Sequence, residues 1–236
     1  MRSSSLAIVL LIVVIGSLVG VYLHEGYGPR SSQQAVWQQQ YPSGMMMGYG
    51  SGYGMMGQGS GTGSAGQLVT IEQAIQMMRN VPSYAIVNSS DNTIVFDSRQ
   101  IAVFVLMSMP DKAVNITGRQ PPSYTTGDVF VIYGLINPTL VMQSGSIVQF
   151  TVVNLDDDMQ HNLVVSSYGP PYGYMAMQGM MSGNWMPYLP PANYSQDSAL
   201  EYPYVMILKQ PGTLWYICTY PDHAQSGMYG KIIVTS

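Results

Sequence analysis

The sequence predicts an all-β fold with one short helix at its start. From about residue 93 onward, short stretches rich in β-branched and aromatic residues alternate with Gly, Pro, Asn and Asp, which is typical of strands joined by turns. No long helical pattern separates these stretches, so the strands should form a β-sandwich or barrel. The predicted strands are residues 93–96, 101–106, 129–133, 139–142, 146–154, 162–166, 204–208, 213–218 and 229–235.

The predicted helix precedes these strands and begins at Thr70. This residue and Gln73 have the spacing of a capping box, in which each side chain accepts a hydrogen bond from the other's backbone N–H. Four apolar residues then recur on one helical face: Ile71, Ala74, Ile75 and Met78. Pro82 should end the helix, because proline has no N–H to continue the helical hydrogen bonding.

Residues 1–24 are predicted to be an uncleaved membrane anchor. Residues 6–23 carry no charge, and as a helix they would extend about 27 Å, close to the ~30 Å hydrocarbon core of a bilayer. Arg2 precedes this run and the next basic residue is Arg30, so the N-terminus should be cytoplasmic and the rest of the chain outside. A cleaved signal peptide is the alternative, but this apolar run is longer than usual and no A-x-A-like site follows it.

Residues 25–67 are predicted to be a flexible linker, and residues 68–236 to be one folded domain. Gly, Ser, Gln, Tyr and Met dominate the linker, a composition that cannot bury a core. Only 8% of the 236 residues are charged and the net charge is −4, which excludes nucleic-acid binding because phosphate recognition needs clustered Lys and Arg. So few ionisable groups suit an acidic external medium, and a membrane-associated, Tyr-rich chain is the alternative explanation.

The strongest functional signal is a group of potential metal ligands. Cys218, His223 and Met228 follow a predicted strand with the spacing Cys-x4-His-x4-Met. His161 lies at the start of another predicted strand, and adjacent strands of a sandwich can bring it beside that loop. One thiolate, two imidazoles and a weak axial thioether are the ligands of type 1 (blue) copper sites, which transfer single electrons. The sequence therefore predicts one type 1 copper ion held by these four residues.

Other metal chemistries fit the sequence less well. With one cysteine and three histidines, the chain cannot form an intramolecular disulfide or a binuclear copper-A site, which needs a second cysteine. A copper oxidase or reductase needs further copper centres with many more histidines, and only His24 is left over. Neither an enzymatic activity nor a small-molecule substrate is therefore expected. A structural zinc site would leave Met228 unexplained.

The loop from Cys218 to Met228, with the run His161-Asn162-Leu-Val-Val upstream, resembles the cupredoxin family. Within that family, the anchor, the Gly-rich linker, the low charge and the run Cys-Thr-Tyr-Pro-x-His-Ala-x-x-Gly-Met-Tyr-Gly-Lys resemble the sulfocyanins of acidophilic archaea. The related rusticyanins share the loop spacing but carry serine where this chain has Asn162. The resemblance implies a Greek-key sandwich, backbone hydrogen bonds from Asn162 that tether the cysteine loop, and a His223 edge near the surface where electrons pass.

The resemblance also implies a role in a respiratory chain. The protein would take electrons from a cytochrome/Rieske-type complex and deliver them to a haem-copper terminal oxidase. The alternative is a copper chaperone or reservoir that collects Cu(I) through thioethers. Its collectors would be the methionines of the linker, at residues 45–47 and 55–56, and those of residues 175–186. The latter lie in a strand-poor insertion, residues 170–197, which is expected to cover the core or form a docking face.

Two polar features remain. The acidic run Asp156-Asp157-Asp158 is interpreted as a solvated turn rather than as a site that steers a basic partner. Three Asn-x-Ser/Thr sequences are acceptors for N-glycosylation in an exported chain, and their asparagines are Asn88, Asn115 and Asn193.

Overall fold

The computed structural model of the chain describes residues 66–173 and 186–236. The predicted membrane anchor and nearly all of the predicted linker lie outside these residues, as does His24. Most of the methionine group of the insertion also lies outside them. Within the described ranges, no helix is both long enough and apolar enough to span a membrane.

Two short helices and twelve strands make up the described part of the chain. The helices are α1 (Ile71–Arg79) and α2 (Pro110–Thr117). The strands are β1 (Gln67–Val69), β2 (Ala85–Asn88), β3 (Thr93–Phe96), β4 (Gln100–Ser108), β5 (Val129–Ile132), β6 (Leu135–Ile136), β7 (Thr139–Gln143), β8 (Ile147–Asn154), β9 (Val164–Ser166), β10 (Ala199–Ile207), β11 (Gly212–Ile217) and β12 (Tyr229–Thr235).

The strands form two six-stranded sheets that pack face to face, which confirms the predicted all-β sandwich. Sheet A has the order β1-β10-β8-β4-β5-β6, and sheet B has the order β2-β3-β7-β12-β11-β9. Most neighbours are antiparallel, but β4 with β8, β3 with β7, and β7 with β12 are parallel. Side chains of both sheets share one buried core, and its largest members include Phe96, Phe130, Phe150 and Tyr216.

Helix α1 begins as the sequence predicts. The Thr70 hydroxyl accepts the N–H of Gln73 at 3.1 Å, and the Gln73 side chain accepts the N–H of Thr70 at 3.0 Å. Ala74 and Met78 are fully buried on the face that packs against the sandwich. The helix ends at Arg79, ahead of Pro82.

Helix α2 corrects the prediction of a single short helix. Pro110 lies in its first turn, where a missing N–H costs nothing, and Gly118 ends it in the left-handed conformation with φ 69°. The helix has eight residues, so its apolar pattern is too short to distinguish it from a loop. Its position after β4 is fixed by packing, with Ala113 fully buried.

Strand boundaries also differ from the prediction in places. Strands β1, β2 and β6 are not among the predicted strands, and β10 begins at Ala199 rather than at residue 204. Pro203 lies inside β10, opposite Thr151 of β8. A proline argues against a central strand, but β1 pairs with β10 only as far as Glu201, so Pro203 lies beyond that pairing. Strand β1 starts at Gln67, the last residue of the predicted linker, so the folded domain begins slightly earlier than predicted.

Strand pairing brings separate segments of the chain to one end of sheet B. Strand β11 lies between β12 and β9, and its last residue, Ile217, pairs with Tyr229 of β12 and with Val164 of β9. The residues just after β11, just before β12 and just before β9 are therefore neighbours. Three of the predicted metal ligands lie in these segments: Cys218, Met228 and His161.

Candidate metal centre

Cys218 and Met228 lie opposite each other at the base of the loop that joins β11 to β12. The N–H of Cys218 donates to the Met228 carbonyl at 3.1 Å, which extends the strand pairing into the loop. Farther along, the N–H of Met228 donates to the His223 carbonyl and the N–H of Ser226 to the Asp222 carbonyl, both at 2.9 Å. The loop is thus closed by its own backbone, which fixes the spacing of three predicted ligands.

A second segment holds this loop from outside. The N–H groups of residues 126–127 donate to the Ser226 carbonyl at 2.8 and 3.0 Å, and the Asn137 amide donates to the Gly227 carbonyl at 2.9 Å. Gly227 has φ 96°, and a Cβ at this position would lie 2.6 Å from the Cα of Thr125. Only glycine fits such a conformation and such a close approach, so packing determines the residue that precedes the predicted methionine ligand.

Three of the predicted ligand atoms converge on a single point. The Nδ1 atoms of His161 and His223 lie 3.0 Å apart, and the Sγ of Cys218 lies 3.7 and 3.6 Å from them, respectively. A point equidistant from three atoms at these separations is about 2 Å from each, which is a usual length for a bond between a metal and an imidazole nitrogen. Because a neutral imidazole presents a lone pair at its unprotonated nitrogen, the arrangement suits a cation at the centre.

Three of the four predicted ligands are completely buried, and the fourth is slightly exposed to solvent. His161, Cys218 and Met228 are 0% exposed, whereas His223 is 8% exposed. The ring of His223 also lies against Tyr220, with 4.7 Å between the ring centroids. Of these four side chains, His223 is the one through which the centre reaches solvent.

The surroundings favour neutral ligands over free charges when no metal is bound. Burial raises the pKa of the Cys218 thiol to about 12, although the backbone N–H groups of Asn162 and Tyr220 partly counteract this. Burial, followed by the neighbouring His161, lowers the pKa of His223 to about 4. The lone pair of the His223 imidazole is therefore available over a wide pH range, and a metal that binds the thiolate displaces the thiol proton.

These residues fit a type 1 copper ion. One cysteine and two histidines arranged in a triangle, with a methionine as a weak axial ligand, are the ligand set of blue copper sites. The fully buried Met228 lies next to Cys218 through the hydrogen bond between their backbones. His24, the remaining histidine of the chain, lies outside the described residues.

Asn162 connects the histidine segment to the cysteine loop. Its Oδ1 accepts the N–H of Thr219 at 2.8 Å, and its Nδ2 donates to the Thr219 hydroxyl at 2.8 Å. The Tyr188 hydroxyl donates to the Thr219 carbonyl at 3.0 Å. Since Asn162 follows His161 and Thr219 follows Cys218, these bonds hold two ligands of the centre in fixed relation.

Asp156 is a residue of this centre that the sequence reasoning missed. Its carboxylate is fully buried, and its Oδ2 lies 3.1 Å from the Nε2 of His161. The interpretation of the acidic run as a solvated turn is wrong for Asp156, although Asp157 and Asp158 are exposed. Burial alone would raise the pKa of Asp156, but hydrogen bonds from His161 and from the N–H groups of Asp158 and Met159 bring it well below its ordinary value.

Asp128 brings a second carboxylate to the centre. It lies just before β5, and its Oδ2 is 3.9 Å from both the Nε2 of His161 and the Nδ1 of His223. Burial raises the pKa of this carboxyl, and the charge of Asp156 raises it further, while His161 opposes the shift. No local pattern reveals Asp128, because its position depends on how β5 approaches the loop.

The other predicted features are placed only in part. Met186 is fully buried in the core, whereas the remaining methionines of its group and those of the linker lie outside the described residues. The three glycosylation candidates are exposed: Asn88, Asn115 and Asn193.

Comparison with known proteins relates the C-terminal part of the chain to copper proteins. Residues 136–235 match a family described as copper binding proteins, plastocyanin/azurin family. The rusticyanin of Acidithiobacillus ferridurans is 31% identical over 106 residues, which cover 44% of this chain and 54% of that protein. The rusticyanin of Acidithiobacillus ferrooxidans is 30% identical over 106 residues, with the same coverage. The chain thus spans about half the length of these two curated relatives.

Solved structures of rusticyanin resemble the described domain. Reduced rusticyanin has a TM-score of 0.55 and 21% identity, and the alignment covers 72% of this chain and 99% of that one. Rusticyanin from Thiobacillus ferrooxidans has a TM-score of 0.53 and 22% identity, covering 72% and 96% of the two chains. At this level of identity, the likeness shows a shared fold.

Proposed function

We propose that this chain is a blue copper protein with the cupredoxin fold and acts as a membrane-anchored carrier of single electrons. Bound copper supplies the Cu(I)/Cu(II) couple, and the protein supplies the ligands and their surroundings. The observation that carries the proposal is the convergence of His161, Cys218 and His223 on one point, with His223 alone of the three reaching the surface.

The surroundings of the centre support electron transfer because they restrain the ligands. The loop that carries Cys218 and Met228 is closed by its own backbone, and Gly227 fits where a larger residue would collide with the neighbouring segment. Asn162 holds the cysteine loop to the histidine segment. Ligands that keep nearly one arrangement in both oxidation states require little reorganisation, and this favours fast exchange of an electron.

The partners that we propose are a cytochrome or Rieske-type complex as electron donor and a haem-copper terminal oxidase as acceptor. The resemblance of the anchor, linker and C-terminal loop to sulfocyanins supports this respiratory role. The partially exposed edge of His223 would be the point of contact with both partners. Electrons would then enter and leave through the same ligand.

We place the copper domain on the outer side of the cell membrane. The uncharged residues 6–23 would anchor the chain, and the position of Arg2 supports a cytoplasmic N-terminus. Residues 25–67 would then let the domain reach its partners. The low content of charged residues supports an acidic external medium.

A carrier explains the chain better than an enzyme does. Oxidases and reductases that use copper need further copper centres and additional histidines, and only His24 is left over in this sequence. The match to copper binding proteins of the plastocyanin/azurin family agrees with electron transfer rather than catalysis.

Electron self-exchange between oxidised and reduced copies tests the carrier role without an identified partner. Gln225→Glu adds a carboxylate two residues after His223, so two copies that meet at this face would repel each other. Two like charges about 4 Å apart in water repel by roughly 1 kcal/mol, so we expect a two- to fivefold slower exchange at low salt, with unchanged copper content.

The matched control is Gln100→Glu. Gln100 is exposed at the start of β4, where it pairs with Ile147 of β8. Seven residues, or about 23 Å, separate this pair from Asn154, which lies at the end of sheet A nearest the metal centre. This variant should exchange electrons at the wild-type rate. Equal rates for both variants and the wild type would contradict contact through the His223 face.

A copper chaperone or reservoir is the alternative, and deletion of residues 44–57 separates it from a carrier. If the methionines of this segment collect Cu(I), copper loading should collapse, while preloaded protein still exchanges electrons. A carrier predicts that the deletion leaves both copper content and exchange rate close to those of the full chain.

A further inference from the structure

The carboxylate of Asp156 is buried behind a predicted copper ligand and is held in one orientation. Its Oδ1 accepts the N–H groups of Asp158 and Met159 at 3.0 and 3.2 Å. Its backbone N–H donates to the Asn154 side chain at 3.0 Å, and its carbonyl accepts the N–H of Ala192 at 2.7 Å. These contacts occupy Oδ1 and the backbone, and leave Oδ2 directed at the Nε2 of His161.

We propose that Asp156 is a positioning residue of the copper centre, which fixes the tautomer of His161 and lowers the reduction potential of the bound copper. The proposal stands on the 3.1 Å contact between two groups that are both fully buried.

The tautomer follows from the two ends of the His161 ring. Its Nδ1 lies 3.0 Å from the Nδ1 of His223 and 3.7 Å from the Sγ of Cys218, so this nitrogen must present its lone pair to bind the ion. The single proton of the neutral ring must then reside on Nε2. An ionised carboxylate only accepts hydrogen bonds, so Asp156 selects this tautomer over the opposite one.

The effect on the potential follows from charge. A carboxylate that accepts a hydrogen bond from a metal-bound imidazole makes that ligand more basic, and its buried negative charge is poorly screened. Both effects stabilise Cu(II) more than Cu(I), because Cu(II) carries the larger charge. Removal of the charge should therefore shift the equilibrium toward Cu(I).

Asp156→Asn in the full-length protein tests this role, because the amide has nearly the same shape as the carboxylate and no charge. Loss of such an outer hydrogen-bond partner typically weakens metal binding by about 10–100-fold. If Cu(II) binding falls tenfold and Cu(I) binding is unchanged, the potential measured by voltammetry rises by about 59 mV. We expect a rise of at least this size and a correspondingly larger dissociation constant for Cu(II).

Asp157→Asn is the matched control. Asp157 is the next residue in the chain, but it is exposed and pairs with Lys112 at 3.1 Å on the surface. The reduction potential of copper in this variant should stay close to that in the wild type, because solvent screens the charge of Asp157. If Asp156→Asn binds copper with an unchanged potential, or if both variants shift it equally, the proposed role of Asp156 is refuted.

A measurement on the unaltered protein covers the case in which Asp156→Asn fails to fold. In the metal-free protein, the nitrogen chemical shifts of the His161 ring should place its proton on Nε2, and this proton should exchange slowly with water. A His161 ring that carries its proton on Nδ1 refutes the proposal. The inference rests on the proposed copper centre, but the two fail differently: a full-length protein that binds no copper refutes the centre itself.

Discussion

Asn162 and Thr219 share three hydrogen bonds, two of 2.8 Å and one of 3.1 Å, that join the chain segments on either side of the copper centre. One uses the backbone N–H of Thr219, and both residues are buried. Each residue directly follows a predicted ligand, so the bonds act on the distance between the His161 and Cys218 side chains.

Asn162→Ala should destabilise the protein by about 1–3 kcal/mol, because it leaves the buried Thr219 N–H without its acceptor. Denaturant unfolding of the metal-free protein measures the change. Asn115→Ala, at an exposed position on α2, should leave the free energy of unfolding within about 0.5 kcal/mol of the wild type. Equal free energies of unfolding for the two variants would show that the hydrogen bonds between Asn162 and Thr219 do not stabilise the protein.

Met228→Leu should retain copper and raise its reduction potential, because a weak donor to Cu(II) is lost from a buried position. A tenfold shift toward Cu(I) corresponds to about 59 mV, and we expect at least this rise in voltammetry. Met142→Leu makes the same change in the core at β7 and should leave the potential unaltered. A lowered potential in Met228→Leu would argue against an axial methionine.

Cys218→Ser should abolish the blue colour, because charge transfer from a thiolate to Cu(II) is no longer possible. The visible absorption spectrum of the protein with added Cu(II) measures this loss. Thr219→Ser changes the neighbouring residue but keeps its hydroxyl, so that variant should stay blue. Persistence of the colour in Cys218→Ser would refute the assignment of the thiolate ligand.

The pKa of His223 predicts how the metal-free protein responds to acid. Burial and the neighbouring His161 lower this pKa to about 4, from 6.5 in the unfolded chain. Between these values the unfolded state binds more protons than the folded state, so this group makes stability fall as the pH drops from 6.5 toward 4. The loss levels off below pH 4, where both states are protonated, after reaching at most about 3 kcal/mol.

A nuclear magnetic resonance titration of the His223 ring in metal-free protein checks that midpoint directly. Denaturant unfolding at pH 7 and pH 4.5 checks the stability change, and His223→Asn should show a smaller loss because the titrating ring is gone. The copper-loaded protein should stay blue well below pH 6.5, since the metal also competes with the proton. Bleaching that begins near pH 6.5 would contradict the depressed pKa of His223.

Much of the centre could be predicted from sequence because its ligands are scarce and regularly spaced. Cys218 is the single cysteine, and His223 and Met228 follow it on one loop at equal intervals. His161 is the other histidine of the predicted folded domain, so little choice remained. The structure brings Cys218 and both histidines together and buries Met228 beside them.

The carboxylates of the centre could not be predicted in this way. Asp156 stands in a run of three acidic residues, and nothing local distinguishes the one that is buried from the two that are exposed. Asp128 approaches the histidines only through the packing of β5. Helix α2 was missed for a related reason, because it has eight residues and its burial depends on its neighbours.

The parallel pairings of β4 with β8 and of β7 with β12 have a consequence for how the protein folds. Such pairings join distant parts of the chain, and folds rich in them form slowly. His161 and Cys218 are 57 positions apart and meet only when β9 docks on β11. The blue colour that develops during refolding with Cu(II) should therefore appear with the slowest kinetic phase. Its absorbance would then report when the native strand pairing is complete.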